Sequence, residues 1–284
     1  MIPSRLAHAT LLKGHGTEND FVLLVDVEGQ LDPTPEEVAQ LCSRRRGIGA
    51  DGLLRVVRAR DVNDVFASSS QATWFMDYRN ADGSVAEMCG NGSRVFAHYL
   101  RASGLATENT FLIGTRAGDK RATVESFDAH SAVVAVEMGH VEVTGLSTCS
   151  LGETTFAGLG VDVGNPHLAC IIPGLTRQQL AALPIDHGFR YDEEFFPQGV
   201  NVEIATELCD SAVSMRVNER GVGETRSCGT GTVATAMAAL ADAGLSAGTV
   251  SVHVPGGTVT VTIADGEATL RGPSELVFTV VPTE

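Results

Sequence analysis

The chain has 284 residues, 43% of them hydrophobic and 19% charged, with a formal net charge of -15 and a pI near 4.9. This composition excludes a disordered chain, and so acidic a surface repels nucleic acid and anionic membrane over most of its area. Neither the opening Met1–Gly16 nor any later stretch reaches the roughly 18 apolar residues of a membrane span, so a cytoplasmic protein with no nucleic-acid and no membrane partner is expected.

In chain order, β-branched and alternating stretches predict strands at Phe21–Val27, Leu53–Val57, Ala132–Met138, Val213–Val217, Val250–Val254 and Val259–Ile263. Helical signals are fewer. Pro35–Leu41 reads as a helix begun after Thr34, and Ser93–Ala102 and Thr232–Ala241 are longer ones. Val233–Ala241 contains only Ala, Val, Thr, Met and Leu. A helix apolar all round is normally buried. Many strands around few, buried helices indicate an α+β fold.

The organisation is an internal repeat. Glu87-Met-Cys-Gly-Asn-Gly-Ser93 opens a helix that closes at Gly104-Leu105; Thr225-Arg-Ser-Cys-Gly-Thr-Gly-Thr232 opens one that closes at Gly244-Leu245. Each is followed by a strand pair, Phe111–Val124 in one case and Val250–Ile263 in the other. The two Cys-Gly-x-Gly segments lie about half a chain apart. Two similar halves are expected, with the boundary near Asp128–Ser131.

Of the six cysteines, Cys42, Cys149, Cys170 and Cys209 read as small hydrophobes, and none of the six has zinc-type spacing. Cys89 and Cys228 differ because each stands at a glycine-rich helix start. The first N–H groups of a helix lack intrahelical partners and can hold a carboxylate. The same dipole favours a thiolate over a thiol. Two such loops across one substrate suggest a proton-transfer reaction, in which one sulfur removes a proton from the carbon α to the clamped carboxylate and the other returns one to the opposite face.

These segments belong to a longer series: Lys13-Gly-His-Gly-Thr-Glu-Asn-Asp-Phe21, Arg46-Gly-Ile-Gly-Ala-Asp-Gly52, Asn80-Ala-Asp-Gly83, Glu87-Met-Cys-Gly-Asn-Gly92, Gly164-Asn-Pro-His167, Gly199-Val-Asn-Val-Glu203, Glu219-Arg-Gly-Val-Gly-Glu-Thr225, Cys228-Gly-Thr-Gly231 and Val254-Pro-Gly-Gly257. In this order they resemble the diaminopimelate epimerase family over nearly the whole chain. The resemblance implies two pseudo-symmetric halves, each a curved, mostly antiparallel sheet wrapped around a central helix, with the active site in the cleft between them. It places residues 1–130 and 273–284 in one half and 131–272 in the other, the last strand near Leu276–Val281 returning to the first half. It implies interconversion of L,L- and meso-diaminopimelate with no metal and no cofactor, in lysine and cell-wall precursor synthesis. The expected partner is a small-molecule amino-acid substrate, and a homodimer is compatible with the reading.

Residue roles follow from the same resemblance. Cys89 and Cys228 would be the acid/base pair. Gly90, Asn91, Gly229 and Thr230 would bind the reacting carboxylate, largely through backbone N–H groups. Asn19, Asn80, Asn165 and Asn201 would make polar contacts with substrate, and Glu219 and Arg220 would recognise its far end. His167 and Glu219 would tune the thiols. Asp20 and Glu224 read as scaffold, and Asp82 as a turn residue. There are departures from the family pattern: Thr17-Glu18 stands where many members have an apolar residue and Gly, which predicts an altered loop, and Gly52 stands where some have a substrate-contacting Gln. The alternatives are a proline- or hydroxyproline-type racemase of the same fold, or a dithiol redox protein.

Overall fold

A computed structural model describes residues 2–281 of the chain. The chain divides into two compact units, residues 1–136 with 273–284, and residues 137–272. The first unit contains β1 (Thr10–Gly16), β2 (Asn19–Val25), α1 (Pro35–Cys42), β3 (Gly52–Arg58), α2 (Val65–Ser69), β4 (Trp74–Asn80), α3 (Gly90–Ala102), β5 (Thr110–Gly114), β6 (Lys120–Phe127) and most of β7 (Ser131–His140). The second contains β8 (Glu142–Leu151), β9 (Thr154–Asp162), β10 (Pro166–Ile172), α4 (Arg177–Ala182), the two-residue β11 (Arg190–Tyr191), β12 (Asn201–Thr206), β13 (Ala212–Glu219), the short β14 (Gly223–Thr225), α5 (Gly229–Asp242), β15 (Gly248–Val254) and β16 (Gly257–Ala264). The last strand, β17 (Glu267–Val280), passes from the second unit into the first.

Strand pairing makes the repeat explicit. In the first unit the neighbour order is β17–β1–β2–β3–β4–β5–β6–β7, with parallel pairs at β2–β3 and β4–β5 and antiparallel pairs elsewhere. In the second it is β8–β9–β10–β12–β13–β15–β16–β17, with parallel pairs at β10–β12 and β13–β15 and antiparallel pairs elsewhere. The two series are the same. Each unit is a mostly antiparallel sheet wrapped around one helix, as the α+β reading expects. α3 packs against β1, β2, β3, β4 and β6, and α5 against β9, β10, β12, β13, β15 and β16.

Both central helices are buried on nearly every side, but for different reasons. α5 is built of Ala, Val, Thr and Leu, good packing residues with high or adequate helix propensity, and ten of its residues from Gly229 to Leu240 are buried. Burying a Val or Leu side chain stabilises by about 1.5–3 kcal/mol. In α3, Val95, Phe96 and Leu100 do the same, yet Arg94 and His98 are equally buried. His98 is accommodated by hydrogen bonds to Ser274 Oγ and the Asp128 carbonyl. α1 begins with a capping box between Thr34 and Glu37 and has Pro35 in its first turn.

Two expectations are corrected in detail. The strand expected at Phe21–Val27 runs from Asn19 to Val25. It stops there because the Asp26 carboxylate accepts the N–H groups of Gln30 and Leu31, at 2.8 and 2.9 Å, which turns the chain. The helices expected from Ser93 and Thr232 begin at Gly90 and Gly229, immediately after the two cysteines. Among the described residues no helix is long and apolar enough to cross a membrane.

Candidate active site

Cys89 and Cys228 occupy the same structural place in their units: each is the N-cap of the central helix. Both residues are extended, and each sulfur accepts the backbone N–H three residues on, from Gly92 and from Gly231, at 3.4 Å in both cases. A sulfur there does the work usually done by Ser or Asp, and it does so better as an anion, since the helix start carries partial positive charge. Space is tighter at the second glycine than at the first. A Cβ at Gly92 would lie 3.2 Å from Leu54 Cδ2, and one at Gly231 only 2.6 Å from Glu203 Oε1.

The sheet registers align the other predicted residues. Phe21 is paired with Gly52, and His167 with Asn201, across the first parallel pair of each unit. Asn19, the first residue of β2, therefore corresponds to Asn165, just ahead of β10. Gly52 is paired with Asn80 at the end of β4, and Val202 with Asn218 next to the end of β13. Asn80 thus corresponds to Glu219, and each precedes its cysteine by the same interval. In each unit the predicted residues gather where the strands end nearest the helix N-terminus.

In the first unit, Asn19 Oδ1 lies 3.6 Å from the Cys89 sulfur and accepts from Asn91 Nδ2 (3.2 Å), while Asn19 Nδ2 donates to Asp51 Oδ2 (2.9 Å). Asn80 sits in the turn ahead of Cys89 and donates to Ser84 Oγ at 3.0 Å; Asp82, as expected, serves that turn by accepting from the Ser84 N–H. Gly90 and Asn91 open α3 and are buried. The altered loop at Thr17-Glu18 is a two-residue hairpin joining Gly16 to Asn19, with both residues at positive φ, 52° and 60°. For a β-branched threonine that backbone is a genuine outlier. A side chain at Gly52 would meet the Arg79 carbonyl at 2.7 Å and the Tyr78 ring at 2.8 Å, so this chain has no room for one.

In the second unit the surroundings are polar. His167 is wholly buried beneath the helix start; Nδ1 is hydrogen-bonded to Glu203 Oε1 at 2.7 Å, and Nε2 to Asn165 Oδ1 at 3.1 Å. Asn201 Oδ1 accepts the Arg220 N–H at 2.9 Å, and Asn201 Nδ2 lies 3.5 Å from His167 Nε2. The Cys228 sulfur lies 3.5 Å from Thr230 Oγ1, and the Glu219 carboxylate, whose charge acts on that sulfur, accepts from Thr225. Gly229 and Thr230 supply the first N–H groups of α5. The Arg220 side chain lies over Gly199 and donates to the Gln198 carbonyl at 2.7 Å. Glu224 is scaffold, ion-paired with Arg216 at 2.7 Å.

Charge follows from these contacts. Burial, then the nearby Glu219 and Glu203, push the Cys228 thiol well above the usual range, against the hydrogen bonds from Thr230 and Gly231. Burial raises Glu203 and Glu219 too, offset in part by His167 for the first and by Thr225 and His167 for the second. As it stands, Cys228 is a protonated thiol.

Sequence reasoning gave no role to Glu203 or Arg94. Glu203 was visible as a carboxylate inside the apolar run Val202-Glu-Ile-Ala205, and Arg94 as a charge on the apolar side of α3. Among the described residues no group of three His, Cys, Asp or Glu side chains is placed to hold a metal ion.

The diaminopimelate epimerase family model matches residues 11–144 and 159–277. Diaminopimelate epimerase of Corynebacterium glutamicum is 61% identical over 265 residues, 93% of this chain and 95% of that protein. The protein of that name from a Mycobacterium species is 55% identical over 94% of each chain. Among solved structures, a hydroxyproline epimerase from Agrobacterium vitis superposes with a TM-score of 0.64 at 18% identity, covering 96% of this chain and 90% of that one. A PhzF-family phenazine biosynthesis protein from Bacillus anthracis gives 0.63 at 15% identity, over 96% and 98%. These structures share the fold; the sequence matches go further, and the chain belongs to the diaminopimelate epimerase family.

Proposed function

We propose that this protein is an isomerase that interconverts L,L- and meso-diaminopimelate, with Cys89 and Cys228 as its two acid/base groups. The observation that carries the reading is the duplicated cysteine N-cap, one sulfur on each central helix in the same hydrogen bond. Inversion needs a base on one face of the α-carbon and an acid on the other. A thiolate takes the α-proton and becomes a thiol; the second thiol delivers its proton to the opposite face and becomes a thiolate. Atoms and charge balance, and the enzyme emerges with its ionised sulfur exchanged.

The carbanion needs stabilisation. The first-turn N–H groups at Gly90–Asn91 and Gly229–Thr230, which have no carbonyl of their own helix to bond, suit the substrate carboxylate, where negative charge grows as the proton leaves. The protonated state of Cys228 makes it the acid in one direction, and Cys89 the base. Asn19, Asn165 and Asn201 are already held by hydrogen bonds with their neighbours, so they offer fixed donors and acceptors to a polar substrate. Asn80, Glu219 and Arg220 complete the set for the distal amino-acid end. The same reading makes the protein a cytoplasmic enzyme of lysine and cell-wall precursor synthesis.

The test is α-proton exchange with deuterated solvent and net epimerisation, measured on diaminopimelate and on proline. Turnover of diaminopimelate that is lost in Cys89→Ser and in Cys228→Ser is expected. Exchange with proline alone would replace the substrate assignment, and normal epimerisation by either serine variant would overturn the two-thiol mechanism.

A further inference from the structure

Arg94 is buried completely in α3, one turn beyond the Cys89 cap. Its Nε donates to the Pro273 carbonyl (3.1 Å) and one terminal nitrogen to Thr17 Oγ1 (3.2 Å); the other has no hydrogen-bond partner among the described residues. A guanidinium keeps its charge in almost any protein setting, and a buried charge is normally matched by an opposite one. Among the described residues no carboxylate is ion-paired with Arg94, and every partner that it has is neutral.

The carboxylates on the elements around α3 are occupied or exposed. On the β1 and β2 side, Asp20 holds Lys13 and Arg44, and Glu275 holds His15. On β3 and β4, Asp77 holds Arg55, Arg79 and Arg116. Glu18, Glu87 and the β6 residue Glu125 are exposed. On α3 itself, His98 is satisfied by Ser274 and Asp128, and Arg101 by the Ala106 carbonyl and Asn109. Burial lowers the Arg94 pKa to about 10, and the one ionisable group whose charge counteracts that is Cys89.

We infer that Arg94 is a positioning residue whose buried charge is balanced by a Cys89 thiolate, so that the resting enzyme carries its ionised sulfur on the first unit. The position matching Arg94 in α5 is Val233, wholly buried and apolar, so the second thiol has no such cation. Thr17 ties the same guanidinium to the strained hairpin that leads into Asn19, the residue contacting the Cys89 sulfur. Charge and alignment of the base thus come through one side chain. The inference rests on the two-thiol reading for its catalytic meaning, but ionisation of Cys89 can be measured without substrate.

The experiment is the pH dependence of Cys89 alkylation by iodoacetamide, read by peptide mass spectrometry in a Cys228→Ser protein. Cys89 is expected to titrate below the ordinary thiol value of about 8.5. Adding Arg94→Met or Arg94→Gln should slow alkylation at pH 7 by about ten-fold, the change that one unit of pKa produces. Arg94→Lys, which restores the charge, should recover most of that loss. A Cys89 that titrates at or above the ordinary value overturns the inference, whether or not the neutral variants fold. So does an unchanged profile in a folded neutral variant, or an Arg94→Lys profile that moves as far as Arg94→Met. Failure of the two-thiol reading looks different: Cys89→Ser would epimerise normally while the alkylation profiles stood.

Discussion

Beneath the α3 start lie Phe21 and Leu54; at the matching places beneath α5 lie His167 and Glu203. Strand order, strand sense, cap geometry and the interval from strand end to cysteine are otherwise shared. The first unit sets Phe21, Leu54, the Asn19 amide and one buried guanidinium about its helix start, the second a buried histidine and two carboxylates. A repeat builds two like scaffolds, but acid/base chemistry at one carbon needs two unlike groups at any instant. Exchanging a few buried side chains produces that difference without altering a strand.

The largest expected effect tests whether both units do chemistry. Cys89→Ser and Cys228→Ser should each lower net epimerisation by about 10²–10⁴-fold, the usual worth of a general acid or base. Equal, near-total losses sharpen the comparison; a loss confined to one variant breaks it.

A smaller effect comes from giving the second unit the bed of the first. The double change His167→Phe with Glu203→Leu should leave a folded protein, since replacing a buried polar pair with packed hydrophobics is often neutral or stabilising by about 1–4 kcal/mol. Turnover should fall by about 10- to 100-fold, less than for loss of a thiol. Cys228 should then ionise more readily, because one of the carboxylates raising its pKa is gone. Alkylation of Cys228 across pH in a Cys89→Ser background reads that change. Wild-type rates in the double variant would make the His–Glu pair incidental.

The glycines distinguish the beds by packing. Gly231→Ala drives a methyl against Glu203 Oε1, which His167 holds in place, and should destabilise by about 1–3 kcal/mol. Gly92→Ala meets only the end of Leu54 and should cost less than about 1 kcal/mol. Urea melts of the two variants give the difference directly.

The smallest effect concerns Asp20, whose counterpart in the second unit is Pro166. Burial works to raise the Asp20 pKa, but hydrogen bonds from Arg44 and Lys13 override it and hold the carboxyl well below the usual range. A depressed folded-state pKa contributes stability that is present above the unfolded carboxylate value and is lost as pH falls through the folded one. Asp20→Asn should therefore destabilise by about 1–2 kcal/mol at pH 7, and the difference should fade as pH drops below about 4. Thermal melts at pH 7 and pH 3 check the sign.

Strands whose residues alternate by burial were legible. β15 and β16 read directly from Val250–Val254 and Val259–Ile263 because every second side chain faces the core. β4 was not, since its buried Asp77 is held by Arg79 of the same strand and by Arg55 and Arg116 from other segments, and a buried carboxylate looks like a surface one until its partners are known. β10 was missed because Leu168–Ile172 is a short apolar run without alternation, ambiguous between strand and helix. The two cysteines, by contrast, were found at once.

What the sequence determined by itself was local: two Cys-Gly-x-Gly segments that start helices, each with a sulfur at the N–H groups of the first turn. Capping reaches only three residues along the chain, so its signal survives in a linear reading. What surrounds each sulfur was decided by tertiary structure. Phe21 and Leu54, His167 and Glu203 arrive on strands distant in sequence from the helices that they support, and Arg94 declares itself only when its partners prove to be neutral. Ionisation depends on every charge and dipole within several ångströms, and only the folded chain specifies that neighbourhood.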